Sequence, residues 1–415
     1  MKQKIGILSL GCPRNLVDAE ALAGRLNFKG YSIVQDIAQA QVVLVNTCAF
    51  IQEAKRESID AILDLIELKK QGKLKKIIVY GCLAQRYKNL AKELPEVDAF
   101  VGTPGPNHET KRFALTPEHY AYLKICEGCL NRCSYCVIPK IKGGLKSLDE
   151  AQIIRKVKLF NHQKISELNI IGQDITGFGM DTSGQSQLTG ILRKIITQAP
   201  DIAWIRLLYL NPERISKELL ELVATSKQVC KYIDLPIQHI NNRILKLMRR
   251  PLSKEKIIAL IKLIRKTIPG VYLRTSLIVG FPSETEKEFN ELLEFVQEAK
   301  FERLGVFAYS REEGTPAFTF KKQVPEGLKQ ARLDRIMSLQ RQIATQVNAK
   351  FLGKTICVLV EEKQDGAYIG RSQGDAPEVD GVVYINTKLP LKIGKFIQVK
   401  ITDTLEYDLV GEPKL

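Results

Sequence analysis

CEGCLNRCSYC, residues 126–136, places four cysteines within eleven residues. Counting from Cys126, the intervals between cysteines are two, three and two residues. Two CxxC pairs could build a zinc ribbon, but such pairs normally stand a dozen or more residues apart, and only three residues separate Cys129 from Cys133. A bacterial ferredoxin run, with two residues between successive cysteines, does not fit either. The unit that remains is C-x3-C-x2-C, made by Cys129, Cys133 and Cys136. Cys126 closes the apolar run AYLKIC and reads as a strand residue that binds no metal.

Downstream of that run the sequence keeps a strand-helix rhythm. ELNIIGQ, WIRLLYL, YIDLPIQ, VYLRTSLIVGF and RLGVFAYS follow AYLKIC, and most are separated by stretches long enough for a helix, such as Asp149 to Phe160 and Glu284 to Lys300. Six such units predict a partial or complete parallel βα barrel, with its chemistry at the carboxyl ends of the strands. The cysteine loop then follows the first strand.

Upstream, KIGILSL, QVVLVNT and KKIIVYG alternate with helical patterns over residues 15–28, 50–70 and 85–94, which predicts an α/β domain with a parallel sheet over residues 1–105. Each of these strands ends in a cysteine: Cys12, Cys48 and Cys82. One strand-end cysteine reads as a small buried hydrophobe. Three at equivalent positions argue for a site, because parallel strands bring their carboxyl ends to one edge.

PGPNHET, residues 104–110, is a turn-rich connector, and residues 106–119 are read as a linker before a barrel over 120–324. Residues 325–351 read as a connecting helix, with Leu333, Ile336, Leu339, Ile343 and Val347 at core spacing. TICVLVEE, AYIGRS, GVVYIN and FIQVKIT then predict a small β-barrel over 352–415.

Composition narrows the class. The 415 residues are 45% hydrophobic and contain no apolar run of about eighteen, and MKQKIGILSLGC enters a strand directly, so a cytoplasmic protein without a membrane partner is expected. Nine cysteines in a reducing compartment point to metal or catalysis rather than disulfides. His108, His119, His162 and His239 lie far apart in the chain, so thiolates are the expected ligands. The net charge is +16, but residues 352–415 hold eight basic and ten acidic residues, leaving +18 on the first 351. Solvated Lys-rich helix faces such as Glu67–Lys70 account for part of that excess.

C-x3-C-x2-C on the loop after the first strand of a βα barrel resembles the radical S-adenosylmethionine superfamily. The resemblance implies a [4Fe-4S] cluster on Cys129, Cys133 and Cys136, with one iron free to chelate S-adenosylmethionine and drive release of a 5′-deoxyadenosyl radical. The second triad narrows the likeness to the methylthiotransferases, whose motifs stand here as SLGCPRNLVDAE, VNTCAFIQEAKRES, VYGCLAQRY, KICEGCLNRCSYCVIP, IGQDIT, DLPIQHINNRILKLMRR, LRTSLIVGFPSETEKEF and AYSREEGTPA. That likeness spans essentially the whole chain and implies a second [4Fe-4S] cluster on Cys12, Cys48 and Cys82, a sulfur donor, a reductase or flavodoxin-like electron donor, and a carboxyl-terminal TRAM barrel.

Members of this family modify either an adenosine of transfer RNA or the β-carbon of an aspartate in a small-subunit ribosomal protein, free or within the ribosome. SLGCPRNLVDAE and GRSQGDAPEVDGVVYIN resemble the protein-modifying branch. A tail of net −2 is also a poor clamp for a phosphate backbone. Asp375, Glu378 and Asp380 are candidates for contact with a basic ribosomal protein, with turn capping as the alternative. Gln173, Asp174, Gln238, His239, Gly280 and Pro282 follow strands at the expected face, and Arg274 lies within one, so all seven are candidate cofactor or substrate contacts. Where the family usually has two arginines, this chain has Lys142 and Leu148. Two other readings remain: the transfer-RNA enzyme, and a non-catalytic iron–sulfur electron carrier fused to a nucleic-acid-binding barrel.

Overall fold

The computed structural model describes residues 2–104 and 112–414, so the connector expected at 104–110 lies almost wholly outside the described residues. The amino-terminal unit is one parallel sheet of five strands, β1 (Lys4–Ser9), β2 (Ser32–Val34), β3 (Val42–Thr47), β4 (Lys76–Gly81) and β5 (Ala99–Val101), in the order β2-β1-β3-β4-β5. Apolar β3, buried along its whole length, occupies the centre, as a strand covered on both faces must. Helices α1 (Pro13–Phe28) and α2 (Gln52–Lys70) follow β1 and β3, and α3 (Cys82–Arg86) follows β4. β2 and β5 were not anticipated. Each is a three-residue edge strand, too short for its alternation to stand out.

The middle unit carries the six expected parallel strands in two sheets of three. β6 (Tyr120–Lys124), β9 (Glu167–Ile171) and β10 (Trp204–Leu207) form one, and β11 (Tyr232–Asp234), β12 (Tyr272–Val279) and β13 (Arg303–Ala308) the other. A parallel bridge from Ile205 to Val229 and the Leu210 N–H to Asp234 carbonyl bond join them into an open barrel. Two two-residue strands, β7 (Cys126–Glu127) and β8 (Lys146–Ser147), pin the ends of the cysteine loop together. A continuous core of Leu, Ile, Val and Phe packs the helices on the barrel, and Ile336, Ile343 and Val347 of the helix Glu326–Ala349 join it.

The carboxyl-terminal unit is a closed barrel of β14 (Thr355–Gln364), β15 (Ala367–Ser372), β16 (Val383–Ile385), β18 (Leu409–Pro413) and β17 (Phe396–Thr404). Its fifth strand, β18, was missed because Gly411 and Pro413 mask the pattern. This unit plugs the amino-terminal mouth of the middle barrel. Glu167, the first residue of β9, is fully buried between Arg206 of β10 (2.7 Å) and Arg371 of β15 (2.5 Å). Arg303, the first residue of β13, pairs with Asp375, Arg274 lies 3.3 Å from Asp380, and the Tyr120 and Tyr232 hydroxyls donate to Glu378 and Asp380.

These contacts correct one expectation. Asp375 and Asp380 are not an exposed acidic surface for a basic partner, because their carboxylates are buried in ion pairs with the barrel. Glu378 is exposed as a residue, but its carboxylate too is engaged by Tyr120.

Candidate active site

The opposite mouth of the barrel is covered by the amino-terminal unit, and both cysteine triads lie there. Cys12 is the N-cap residue of α1, Cys48 follows β3, and Cys82 opens α3. Two glycines let these loops close up. A Cβ on Gly11, at φ +87°, would stand 2.5 Å from the Cys48 Cβ, and one on Gly81, at φ +97°, would stand 2.5 Å from Asn46 Oδ1. Asn15 binds the loops together: its amide donates to the Leu10 and Thr47 carbonyls, and its Oδ1 is 4.0 Å from the Cys82 sulfur. Ser58 of α2 holds Cys48 by accepting from its N–H and donating to its carbonyl.

The three thiols share one electrostatic environment. Burial pushes Cys82 up to about 12, with the Lys142 charge pulling the other way and the charges of Cys48 and Cys12 adding to the rise. Burial and the Cys12 charge raise Cys48 as well. Cys12 is the exception. Burial opposes its thiolate, yet the Arg14 guanidinium, whose Nε lies 3.3 Å from the sulfur, brings it below the ordinary thiol value.

The second triad sits on the loop after β6. Cys129 Sγ accepts from the Asn131 N–H (3.4 Å) and side-chain amide (3.3 Å), the Cys136 N–H donates to the Cys133 carbonyl, and Arg250 approaches Cys133 Sγ at 4.0 Å. Ser134 anchors the loop to the segment after β11 through the Leu247 and Met248 carbonyls. Burial drives Cys136 up to about 12, the charges of Cys133 and Cys129 add to it, and Arg14 opposes them. Cys126, as expected, is a buried strand residue whose thiol donates to the Asp174 carbonyl.

Three thiols per site suit an iron–sulfur cluster with one iron left without a protein ligand. Among the described residues no three His, Cys, Asp or Glu could share a single metal ion. A four-iron cluster makes a different demand, since each thiolate binds a different iron.

Of the other expected contacts, Gln173 and Asp174 are at this mouth but serve the cysteine loop. Gln173 donates to Glu127 at 2.6 Å, leaving its own buried oxygen without a partner, and Asp174 accepts from Asn131 and Arg214. Gln238, at φ +71°, ties the end of β11 to β12 by backbone bonds to Ser276 and Ile278. His239 is enclosed by protein. It is fully buried, with Nδ1 accepting from the Asn241 N–H and Nε2 3.3 Å from Glu284. The Gly280 N–H donates to the same Glu284, and Pro282 is buried in the same turn. Arg274 is likewise occupied, by Asp234 at 3.2 Å and Asp380. Leu148 packs in the core, whereas Lys142 lies 3.3 Å from Asp18 of α1 and 3.5 Å from Glu127, in a buried cluster with Lys124. The residues nearest the sulfurs, Arg14, Asn15, Asn131 and Arg250, were missed although every one lies inside a quoted motif.

Comparison with known proteins accounts for the arrangement. Residues 4–102 match the model of Uncharacterized protein family UPF0004, residues 123–296 the Radical SAM superfamily, and residues 352–413 the TRAM domain. The chain is 45% identical over 437 residues to the ribosomal protein uS12 methylthiotransferase RimO of Clostridioides difficile strain 630, covering 99% of this chain and 98% of that one. The RimO of Clostridium novyi strain NT gives the same identity and coverage, and that of Desulforamulus reducens is 45% identical over 440 residues, covering 98% of this chain and 99% of that one. The chain belongs to the RimO methylthiotransferase family. It is therefore a radical S-adenosylmethionine enzyme of the RimO type, with an iron–sulfur cluster and S-adenosylmethionine as cofactors. A solved radical S-adenosylmethionine methyltransferase, TsrM from Kitasatospora setae with tryptophan and a cofactor analogue bound, shares the fold at TM-score 0.54 and 12% identity, covering 82% of this chain and 89% of that one.

Proposed function

We propose that this RimO-type enzyme transfers a methylthio group to the β-carbon of an aspartate in ribosomal protein uS12. In this reading Cys129, Cys133 and Cys136 hold the cluster that binds S-adenosylmethionine, and Cys12, Cys48 and Cys82 hold a second cluster that carries the sulfur. When bound, these groups supply a 5′-deoxyadenosyl radical for hydrogen abstraction and a methylthio group for the resulting carbon. The observation that carries the proposal is that two separate cysteine triads lie at one barrel mouth, with Arg14 bridging from the Cys12 sulfur to the Gly172 carbonyl of the barrel and Lys142, six residues after Cys136, paired with Asp18 of the helix that Cys12 caps.

The chain's own residues prepare that mouth. Arg14 and Asn131 place N–H groups on the Cys12 and Cys129 sulfurs, contacts that oppose the burial acting against those thiolates, and Arg250 lies beside the Cys133 sulfur. The buried Lys124–Asp18–Lys142–Glu127 cluster and the Arg86–Glu312 pair (2.7 Å) hold the two units together. Covering the mouth keeps water from a reactive carbon radical. The plugged far mouth leaves substrate to enter from the cysteine side.

Anaerobic incubation of the reconstituted enzyme with S-adenosylmethionine, reductant and purified uS12 tests this. The expected result is 5′-deoxyadenosine together with one methylthio group on a uS12 aspartate by mass spectrometry, and no change in transfer RNA. Modified transfer RNA with untouched uS12 would contradict the assignment, and an electron carrier would yield no 5′-deoxyadenosine.

A further inference from the structure

Arg14, like Arg250, differs from the buried arginines that pair with carboxylates. Arg206, Arg214, Arg274, Arg303 and Arg371 each pair with a carboxylate. Arg14 instead lies half-buried over the Tyr209 ring, 4.6 Å from its centroid, with Nε on Cys12 Sγ and Nη1 on the Gly172 carbonyl at 3.2 Å. Among the described residues nothing pairs with Nη2, so one edge of a fixed guanidinium is open.

Its platform is held in an uncommon conformation. Tyr209 sits at φ +64°, a left-handed conformation that a bulky residue rarely adopts. The Tyr209 N–H donates to Asp234 Oδ2 at 2.8 Å, its carbonyl accepts from the Ile175 N–H, and Asp234 is clamped by Arg274. Arg274, Asp234, Tyr209 and Arg14 thus form a continuous chain from the plugged mouth to the cysteine mouth. Local strain of this kind persists only where surrounding structure enforces it, and it concentrates at ligand-binding places.

We propose that Arg14 is the specificity residue that receives the carboxylate of the substrate side chain on its open edge. The inference rests on the uS12 aspartate reading above. The β-carbon of aspartate is bonded directly to the carboxylate carbon, so whatever grips the carboxylate also positions the reacting carbon. Arg14 adjoins Cys12 of one triad through Nε and reaches through Nη1 to Gly172, which packs on Cys126 at the root of the loop that carries the other triad, which is where a carbon that gives up hydrogen on one side and takes sulfur on the other must lie. An adenine base offers no anion to this residue, so the same contact separates an acidic substrate from a nucleobase.

The test is anaerobic titration of iron-matched, cluster-loaded protein with labelled uS12 and with uS12 whose target aspartate is replaced by asparagine. Wild type should bind the aspartate form more tightly. Arg14→Gln should lose about 10- to 100-fold for the aspartate form and little for the asparagine form, the range expected for a charged hydrogen bond. Arg14→Lys, which keeps the charge but not the planar fork, should fall between. Undiminished preference in Arg14→Gln, or equal weakening for both forms, would overturn the role of Arg14 while leaving uS12 as substrate. Wild type that binds neither form would overturn the substrate assignment and this inference with it.

Discussion

The two mouths of the central barrel are built from the same residue types and used in opposite ways. At the amino-terminal mouth Arg206, Arg303 and Arg371 meet Glu167, Asp375 and Glu361, and the carboxyl-terminal unit closes over them. At the carboxyl-terminal mouth Arg214, Lys124 and Lys142 are paired with carboxylates as well, but Arg14 and Arg250 meet sulfur and carbonyl oxygen instead. Paired charges seal one end. Cations left without carboxylates mark the end where an anionic cluster or substrate is received. A buried arginine therefore says little by itself; its partner decides whether it holds the fold or awaits a ligand.

Substitutions should separate the two ends. The largest effect on chemistry is expected from Cys133→Ala at the cysteine mouth, which should reduce 5′-deoxyadenosine formation to background in an anaerobic assay. The largest effect on stability belongs to the sealed mouth. Glu167→Gln should leave Arg206 and Arg371 sharing an uncharged amide and cost about 3–5 kcal/mol in denaturant unfolding. Arg14→Gln should cost only about 1–2 kcal/mol, since it removes a stacked cation and a carbonyl contact but strands no carboxylate. If Arg14→Gln proved as destabilising as Glu167→Gln, the contrast between the mouths would fail.

Acid should act on the sealed mouth. Burial opposes the Glu361 carboxylate, but hydrogen bonds from His119 and Arg371 and the Arg371 charge hold it at about 2, below its ordinary 4.5. A depressed carboxylate contributes stability that is complete above about pH 4.5 and is lost as pH falls toward 2. The stability gap between wild type and Glu361→Gln should therefore narrow across that range. Glu378→Gln should change stability by no more than about 0.5 kcal/mol, because an exposed amide oxygen can still accept from Tyr120.

What was legible in the sequence follows from this division. The six barrel strands and the cysteine positions could be read because hydrophobic period and strand ends are local, and a parallel sheet converts strand ends into neighbours. The roles of Asp375 and Asp380 could not, because their partners Arg303 and Arg274 lie 72 and 106 residues away. His239 reads as a candidate cofactor or substrate contact because it follows a strand, and in the fold its ring is buried beside Glu284, 45 residues on. Arg14 stood in plain sight beside Cys12. Only the fold reveals that Tyr209, far along the chain, lies beneath it.

The central claim is that the two triads at the cysteine mouth have separate tasks. Cys48→Ala tests it most directly, assayed anaerobically with S-adenosylmethionine, reductant and uS12. The account predicts that 5′-deoxyadenosine still forms while no methylthio group reaches uS12; a Cys48→Ala enzyme that still methylthiolates uS12 would contradict it.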